Sequence, residues 1–424
     1  MTEITPDFFS DPEVIADPKR YFDLMRAKCP VMKEDYHGTL MVTGYDAVAE
    51  VLTSKDGTFS SACSIVGPIP PLPFKPGDDD IRGKLEAHRA DLPWSEHISC
   101  FDGQKHADSR ALLTGVLTHK RLKQNEGYLH GLAERLIDGF IGKGRCDIVP
   151  EYAHATTTYA ISDLLGIPLA DRAELLELIG APPSQVEGDA VHKVGPDPLI
   201  FLKDRFDQYL RDRLAAPRDD LMSELVHAKL KDGSQLDFDV LSGLVRFLFA
   251  AGQDTTSRLI AMAVLVLAED QALQTRLRNE SGRIADFIEE VLRYDAPVKV
   301  AYRLALVDTS IAGVEVPAGT LATVCLTAAS NDPARFENPE TIDIDRPGLR
   351  NHFGFSRGAH GCLGAPLGRM EARIAIERLL ARTAQFQIDA EYHGPANARR
   401  YTFEPTYSFR SLSTLHVTFS PVGG

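Results

Sequence analysis

The sequence has no long hydrophobic run, no paired cysteine motif and no excess of basic residues. Its longest apolar stretch, Leu259 to Ala268, is far too short to span a bilayer. Its six cysteines show no C-x-x-C pair and no regular spacing, which favours a reducing compartment over a disulfide framework. The formal net charge of -14 argues against nucleic acid as a partner. The first residues are acidic and include a proline, where a secretion signal has basic residues before an apolar run. We therefore expect a cytoplasmic protein that binds neither membrane nor nucleic acid.

The 424 residues are 44% hydrophobic, so the chain is long enough to bury a large core. No linker rich in proline, glycine or serine divides it, and we predict a single domain over residues 1–424. Helical periodicity dominates, which predicts a mainly α fold with small β-sheets. The predicted helices are 21–28, 105–117, 128–141, 159–165, 204–215, 283–294 and a longest one from about 239 to 269. The predicted strands are 31–33, 39–42, 310–311, 314–316, 321–326 and 414–419.

Cys362 lies in a glycine-rich loop that runs from Phe353 to Gly364 and precedes a predicted helix. The N–H groups at a helix N-terminus stabilise a thiolate, and glycines allow a flat group to approach the backbone closely. This combination indicates a thiolate metal ligand beneath a macrocycle. The alternative is a plain buried thiol in a turn, which is the commoner fate of a lone cysteine.

The spacing Phe-x-x-Gly-x-His-x-Cys-x-Gly, from Phe355 to Gly364, resembles the proximal haem loop of the cytochrome P-450 family. One residue departs from the pattern, because Ser356 stands where bacterial members usually have glycine. The resemblance implies haem b with Cys362 as the iron ligand. It also implies the family fold, in which the haem lies between a long central helix and the Cys loop with the C-terminal helix. The resemblance covers nearly the whole chain and is to the soluble bacterial type.

A polar cluster, Gly252 to Thr256, interrupts the longest predicted helix and is locally unfavourable there. Threonine hydroxyls can bond back to helix carbonyls, so we expect a bulge with room for a small ligand. The resemblance implies that Thr255 hydrogen-bonds bound dioxygen and that Asp254 relays protons from solvent. The alternative, an exposed polar patch, fits the apolar neighbours less well.

The resemblance also assigns residues that hold the cofactor and brace its loop. Glu290 and Arg293, three residues apart on one helix face, are expected to form a structural ion pair with Arg346. The same E-x-x-R spacing at Glu280 and Arg283 is expected to be accidental. The two haem propionates require cations when buried. The full set of cofactor-binding residues is His106, Arg110, Arg303, Phe355, His360, Cys362 and Gly364.

The substrate pocket is predicted from the resemblance and from apolar character, with ordinary core packing as the alternative for each residue. Its candidate residues are Phe247, Ala251, Thr255, Val298, Val300, Ser408 and Phe409. Two irregular stretches, 60–99 and 181–198, match the segments that cover the pocket in the family. Lys299 either faces the pocket and binds a substrate oxygen or turns to solvent.

The resulting prediction is a haem-thiolate monooxygenase that hydroxylates a terpenoid, steroid or aromatic with dioxygen. No flavin or iron–sulfur motif is present, so electrons are expected from a separate ferredoxin and its reductase. Basic residues near the Cys loop could bind that ferredoxin, namely Lys120, Arg121, Lys123, Arg357, Arg369 and Arg373. Two alternatives remain open: a family member doing desaturation, coupling or peroxide-driven oxidation, and a non-catalytic haem-binding protein.

Overall fold

The computed structural model describes residues 5–55, 57–180 and 197–422. The α-helices in these ranges are α1 (Pro12–Ala16), α2 (Lys19–Lys28), α3 (Tyr45–Thr53), α4 (Arg82–Ala87), α5 (Gly103–Val116), α6 (His119–Phe140), α7 (Ala155–Leu165), α8 (Leu169–Gly180), α9 (Lys203–Ala215), α10 (Leu221–His227), α11 (Phe238–Glu269), α12 (Gln271–Asn279), α13 (Ile284–Tyr294), α14 (Leu326–Ser330), α15 (Ala365–Arg382) and α16 (Ala390–His393). A π-helical turn, Val149–His154, leads into α7.

Short strands form three small sheets in the described part of the chain. The strands are β1 (Val31–Lys33), β2 (Leu40–Val42), β3 (Phe59–Ser60), β4 (Arg145–Asp147), β5 (Ala301–Ala305), β6 (Thr309–Ile311), β7 (Val314–Val316), β8 (Leu321–Val324), β9 (Thr383–Ile388) and β10 (His416–Pro421). The largest sheet has the order β1-β2-β8-β5-β3, the second β4-β10-β9, and β6 pairs with β7 as a hairpin. In the largest sheet β2 and β8 run parallel, with Leu40 opposite Ala322, while β5 runs antiparallel to β8.

The predicted fold class is confirmed, and most predicted elements are present with shifted ends. The helix predicted at 128–141 is the second half of α6, which already begins at His119. The strand predicted at 321–326 ends at Val324, because Leu326 starts α14. The stretch 60–99 is not wholly irregular, since it contains α4. Most of the other irregular stretch, residues 181–196, lies outside the described residues.

The central element is α11, a helix of 32 residues that is about 48 Å long at 1.5 Å per residue. The Asp237 side chain caps its first turn by accepting from the backbone N–H groups of Asp239 and Val240. The helix packs against α7, α9, α13 and α15. None of the described helices combines the length and apolar character required to cross a bilayer.

The predicted bulge in this helix is wrong, because α11 is a continuous α-helix through its polar cluster. The Thr255 hydroxyl does bond back, donating to the Ala251 carbonyl at 2.8 Å. A carbonyl oxygen has two lone pairs, so it can accept from this hydroxyl and from the helix N–H together. The hydrogen-bond ladder therefore does not open at Thr255.

Lys299 neither reaches the pocket nor turns to solvent, so both alternatives drawn from the sequence are wrong. Its side chain is fully buried, and its Nζ donates to the carbonyls of Ile15 at 2.9 Å and Thr406 at 2.7 Å. Arg410 binds Asp295 at 2.9 Å and also donates to the Ala16 carbonyl. The side chains of Lys299 and Arg410 therefore connect the end of α1 to the C-terminal segment, which is far from it in the sequence.

Burial, and then the charge of the neighbouring Arg410, lower the pKa of Lys299 to about 7. The unfolded chain, with a lysine pKa of 10.5, therefore binds more protons than the folded chain between these two values. The free energy of unfolding should rise with pH across this window. A neutral amine keeps two N–H groups, one for each carbonyl that Lys299 contacts.

Replacing this amine by an isosteric apolar chain should remove the pH dependence. In Lys299→Met, the slope of unfolding free energy against pH should be flatter than in the natural protein, by up to about 1.4 kcal/mol per pH unit above pH 7. Urea unfolding at several pH values measures this slope, with exposed Lys123→Met as the control. Equal slopes in Lys299→Met and the natural protein would contradict the assignment.

Candidate active site

Cys362 is held between a tight turn and the start of α15. A 3-10 turn, Gly358–His360, precedes Cys362. The backbone N–H of Cys362 donates to the Phe355 carbonyl at 2.8 Å. Gly358 has φ +71°, and a Cβ there would overlap the Leu52 carbonyl oxygen at the end of α3. The turn therefore needs glycine at this position for both conformation and space. Cys362 is the exposed cysteine of this chain, whereas the other five are buried or half-buried.

The Cys362 side chain is accessible but largely enclosed by protein. It has accessible surface, yet burial raises the pKa of the Cys362 thiol, so protein atoms surround most of it. The N–H groups of Gly364 and Ala365 and the charges of Arg110 and Arg369 act in the opposite direction and lower the pKa. The expected stabilisation by the helix N-terminus is thus present, but burial outweighs it. A metal ion would supply the missing stabilisation of a thiolate.

Ser356 adopts φ +55°, the left-handed conformation that glycine adopts without strain. This explains why glycine is usual at this position in the family, and the loop keeps the same conformation with serine. Phe355, next to it, packs against the main core, and the Arg369 guanidinium lies 4.4 Å from its ring centre. Gly364 directly precedes α15, and a Cβ there would lie 3.9 Å from the Cys362 sulfur.

The four residues predicted to bind propionates form one cluster, in which the two arginines carry the positive charge. The rings of His106 and His360 stack with centroids 3.9 Å apart. Arg303 is buried and donates to the Tyr302 carbonyl at 2.7 Å, and burial lowers its pKa to about 10. Burial, then Arg303, His106 and Arg110, lower the pKa of His360 to about 2. Burial and the same two arginines also lower the pKa of His106.

Neither Arg110 nor Arg303 forms an ion pair within the described ranges. The nearby carboxylate of Asp102 is bound instead by Arg89 at 3.0 Å and by Ser60 and Ser61. Buried cations without counter-ions are unfavourable, and two carboxylates would neutralise this cluster. Because Arg110 also acts on Cys362, the cluster lies beside the sulfur. Thiol and cations together fit an iron porphyrin with two propionates.

The middle of α11 has an accessible face, next to other partly exposed positions such as Leu248, Ala250 and Gly252. Phe247, Ala251 and Thr255, spaced four residues apart, are all partly exposed. Asp254 is bound at 2.7 Å by Arg258, which also binds Glu404 at 2.8 Å. The predicted proton-relay carboxylate is therefore tied into an ion-pair chain.

The remaining pocket candidates divide into two groups. Val298 and Phe409 are partly exposed and pair through a β-bridge, so they can line the same wall. Ser408 is buried, and its carbonyl accepts from Lys299 N–H. Val300 is buried in an apolar cluster with Phe22 and Tyr302, so core packing describes it better than a pocket position. A groove of about 720 Å³ elsewhere, between the proline-rich segment and the β6–β7 hairpin, contains none of the predicted pocket residues.

The structural ion pair forms as the sequence predicted. Arg293 binds both oxygens of Glu290 at 2.8 Å, and Arg346 binds Glu290 Oε1 at 3.0 Å. Glu290 and Arg293 are completely buried. The second E-x-x-R match is indeed accidental, because Glu280 pairs with Arg276 on the surface and not with Arg283.

Sequence reasoning missed the carboxylate next to this pair. Glu289 is buried and accepts from His352 at 3.0 Å and Arg369 at 2.5 Å, although burial opposes its charge. These partners hold the pKa of Glu289 at about 2. His352 Nδ1 in turn accepts from the Gly354 N–H. Glu289 therefore connects α13 directly to the Cys loop and to α15.

A second missed carboxyl, Glu371, lies on the buried side of α15. Neither of its oxygens has a well-formed hydrogen bond to a described residue. Burial raises the pKa of Glu371 well above the usual range, and the nearby Thr256 hydroxyl opposes this rise. Glu371 is therefore a neutral acid beside the residue that follows Thr255. Its apolar neighbours on α15 gave no signal in the sequence.

Most of the basic residues proposed for ferredoxin binding already have partners. Arg369 binds Glu289, Arg373 binds Glu126 at 2.5 Å, and Arg121 binds Glu224. Arg357 lies over the Phe353 ring at 4.3 Å. Lys120 and Lys123 are exposed, and neither forms an ion pair with a described residue.

Comparisons with known proteins agree on one family. The cytochrome P450 family model matches residues 199–390. Cytochrome P450 109 of Bacillus spizizenii is 36% identical over 68% of this chain and 73% of its own length. The substrate-free structure of cytochrome P450 CYP150A6 from Mycobacterium marinum has a TM-score of 0.91 at 42% identity, covering 99% of each chain. The structure of CYP109E1 from Bacillus megaterium with corticosterone has a TM-score of 0.79 at 27% identity, covering 96% of this chain and 99% of that one.

Removing the buried carboxylate Glu290 should be far more harmful than removing Glu280 from the accidental match. Glu290→Ala leaves two buried guanidinium groups unpaired, which should cost about 3–5 kcal/mol of unfolding free energy. Glu280→Ala should hardly change the midpoint, because its pair is exposed. Equilibrium urea unfolding compares them, with Glu290→Gln as a milder variant in case the alanine variant does not accumulate. Similar midpoints for Glu290→Gln and Glu280→Ala would show that the buried network is not required.

Proposed function

The chain belongs to the cytochrome P450 family, whose members are monooxygenases with haem b, and we propose that it hydroxylates an apolar small molecule such as a terpenoid, steroid or aromatic. The observation that carries the proposal is an accessible thiol, Cys362, enclosed beside the buried Arg303 and the half-buried Arg110, which form no ion pair with a described residue. A thiolate-ligated iron porphyrin, when bound, supplies the activation of dioxygen with two electrons and two protons.

Each part of the cofactor has residues suited to hold it. Cys362 would bind the iron, while Arg110, Arg303, His106 and His360 would bind the two carboxylates. The stacked, uncharged imidazoles would serve as hydrogen-bond partners, and the two guanidinium groups would provide the charge. Glu289, through His352 and Arg369, would fix the loop that carries the sulfur.

Thr255 and Asp254 are proposed to control proton delivery. The Thr255 hydroxyl donates to Ala251, which fixes its oxygen as an acceptor towards the accessible face of α11. Asp254 can deliver protons to that face only when it leaves Arg258, so the Arg258–Glu404 pair would restrain the relay. Restraint of this kind limits the entry of uncontrolled water, which would release peroxide.

The substrate class follows from the accessible apolar side chains. Phe247, Ala251, Val298 and Phe409 offer a wall suited to a hydrocarbon skeleton. A solved relative bound to corticosterone supports a steroid or a molecule of similar size. Alignment with another relative over 99% of the chain supports a single catalytic domain over residues 1–424. Six unpaired cysteines support a cytoplasmic location.

Replacing Thr255 should separate oxygen use from product formation. With a ligand that gives a spin-state change, Thr255→Ala should bind normally but divert electrons to peroxide, lowering product per electron pair about tenfold or more. Labelled dioxygen and peroxide assays measure this ratio. Thr275→Ala is the matched control, because Thr275 makes the same hydroxyl-to-carbonyl bond at 2.8 Å on the surface helix α12.

One result would contradict the proposed role of Thr255, and another would contradict the proposed reaction. Retained coupling in Thr255→Ala would remove Thr255 from proton delivery. A natural-protein product without the oxygen label would indicate desaturation, coupling or peroxide-driven chemistry in place of hydroxylation.

A ferredoxin is the proposed electron donor, and Lys120 and Lys123 at the start of α6 are its proposed contacts. Reversing both charges, Lys120→Glu with Lys123→Glu, should slow reduction by an acidic ferredoxin, most strongly at low salt. Lys75→Glu, an exposed lysine beside the 720 Å³ groove, is the control. Stopped-flow reduction measures the rate, and an unchanged rate with the double variant would exclude this docking face.

A further inference from the structure

A buried polar cluster joins three separate segments of the chain. His97 Nε2 lies 2.9 Å from Asp197 Oδ1, and Arg246 Nη1 donates to Asp197 Oδ2 at 2.6 Å. His97 is completely buried and Arg246 is 3% exposed. Arg246 belongs to α11, while His97 lies in the loop before α5 and Asp197 precedes α9. We refer to His97, Asp197 and Arg246 as the polar triad.

The polar triad lies next to the accessible face of α11. The His97 ring contacts the Phe247 ring with centroids 5.6 Å apart and the Trp94 ring with centroids 5.1 Å apart. The loop lies directly against the helix, because a Cβ at Gly243 would be 3.3 Å from the Glu96 carbonyl oxygen. Trp94 has φ +62°, which is strained for a bulky residue and is a feature that concentrates at functional sites.

Three buried polar atoms on the triad and its loop have no hydrogen-bond partner among the described residues. They are His97 Nδ1, Arg246 Nε and Ser95 Oγ. An unpaired buried polar group is unfavourable, so unpaired atoms on two residues that share Asp197, with a third on nearby Ser95 in the sequence, indicate a site with a further partner. Asp197 already accepts from His97, Arg246 and the Leu199 backbone N–H, and none of its hydrogen bonds reaches these three atoms.

The chemistry of the unpaired atoms defines that partner. Burial lowers the pKa of His97, so the ring is neutral, and its Nε2 must carry the proton because carboxylate oxygens only accept. His97 Nδ1 is then a bare acceptor. Arg246 Nε is always a donor, and Ser95 Oγ can do either. The matching group must both donate and accept.

A hydroxyl meets this requirement, whereas a ketone, a carboxylate and a hydrocarbon do not. A ketone can accept from Arg246 but leaves His97 Nδ1 unpaired. A carboxylate also cannot donate, and the opposite charges of Arg246 and Asp197 leave no net positive charge to hold it. A hydrocarbon satisfies none of the three atoms.

We propose that His97 and Arg246 bind a hydroxyl group of the substrate, so that the natural substrate is an apolar alcohol. This inference rests on the proposed function and names its substrate class. Access requires movement of the Phe247 or Trp94 ring, because both pack against His97. Trp94, the single tryptophan of the chain, therefore reports on binding.

The test uses the haem-loaded protein and four ligands on one skeleton that causes a spin-state change: alcohol, ketone, carboxylic acid and deoxy hydrocarbon. The alcohol should bind about tenfold tighter than the ketone and the hydrocarbon, and it should change Trp94 fluorescence most. Equal affinities of alcohol and hydrocarbon would overturn the proposal.

Substitutions of His97 separate substrate binding from a purely structural role. His97→Gln keeps a donor near the Nε2 position for Asp197 but lacks an acceptor at Nδ1, so it should lose the alcohol preference while hydrocarbon affinity stays within about twofold. His97→Asn, which places an acceptor near Nδ1, should recover part of the preference. His88→Gln is the control, because His88 forms an exposed pair with Asp91 at 3.1 Å.

A His97→Gln variant with full alcohol preference would show that the triad only joins segments. Binding needs no turnover, so its outcome is independent of the proposed reaction. Alcohol preference in a protein that forms no labelled product would support this inference and count against hydroxylation.

Discussion

One constraint governs the site: a single sulfur, Cys362, must stay accessible inside the protein interior. The Cys loop achieves this by crossing the end of α3 at Gly358 and stopping at the start of α15. Burial opposes ionisation of the thiol more strongly than the helix N-terminus favours it. The sulfur is therefore suited to a metal ion and poorly suited to act as a free nucleophile.

The charged side chains around this sulfur divide into paired and unpaired groups. The ion pairs that hold the Cys loop in place are complete within the protein. Glu290 pairs with Arg293 and Arg346, and Glu289 pairs with His352 and Arg369. The cofactor side is incomplete, because Arg110 and Arg303 have no ion pair in the described part of the chain. A buried cofactor with two negative charges requires unpaired cations beside it. It also requires a surrounding structure that is held rigid by charges already paired with each other.

The sequence predicted features that depend on short spacings. The Cys loop, the Glu290–Arg293 pair and the helices carrying Thr255 and His106 each lie within one segment, where local geometry fixes which residues meet. Features that join distant segments were not predictable in this way. Lys299 contacts carbonyls at positions 15 and 406, and Asp197 meets His97 and Arg246.

Neighbouring residues also differ in ways that sequence cannot resolve. Glu289 and Glu290 are adjacent on α13, about 100° apart around the helix, and so bind entirely different partners. Arg369 and Arg373 were predicted to bind a ferredoxin, but the packing of α15 pairs them with Glu289 and Glu126. Val300 was predicted to line the pocket, but it directly precedes β5 and is buried in an apolar cluster. In each case, the partners of a side chain depend on how helices and strands pack against each other, which the sequence pattern does not give.

The central claim is that Cys362 binds the iron of a haem. A carbon monoxide difference spectrum of the reduced, haem-reconstituted protein tests it most directly. The account predicts the red-shifted band of thiolate ligation in the natural protein and its loss in Cys362→Ser. Absence of the band in the natural protein, or its persistence in Cys362→Ser, would contradict the account.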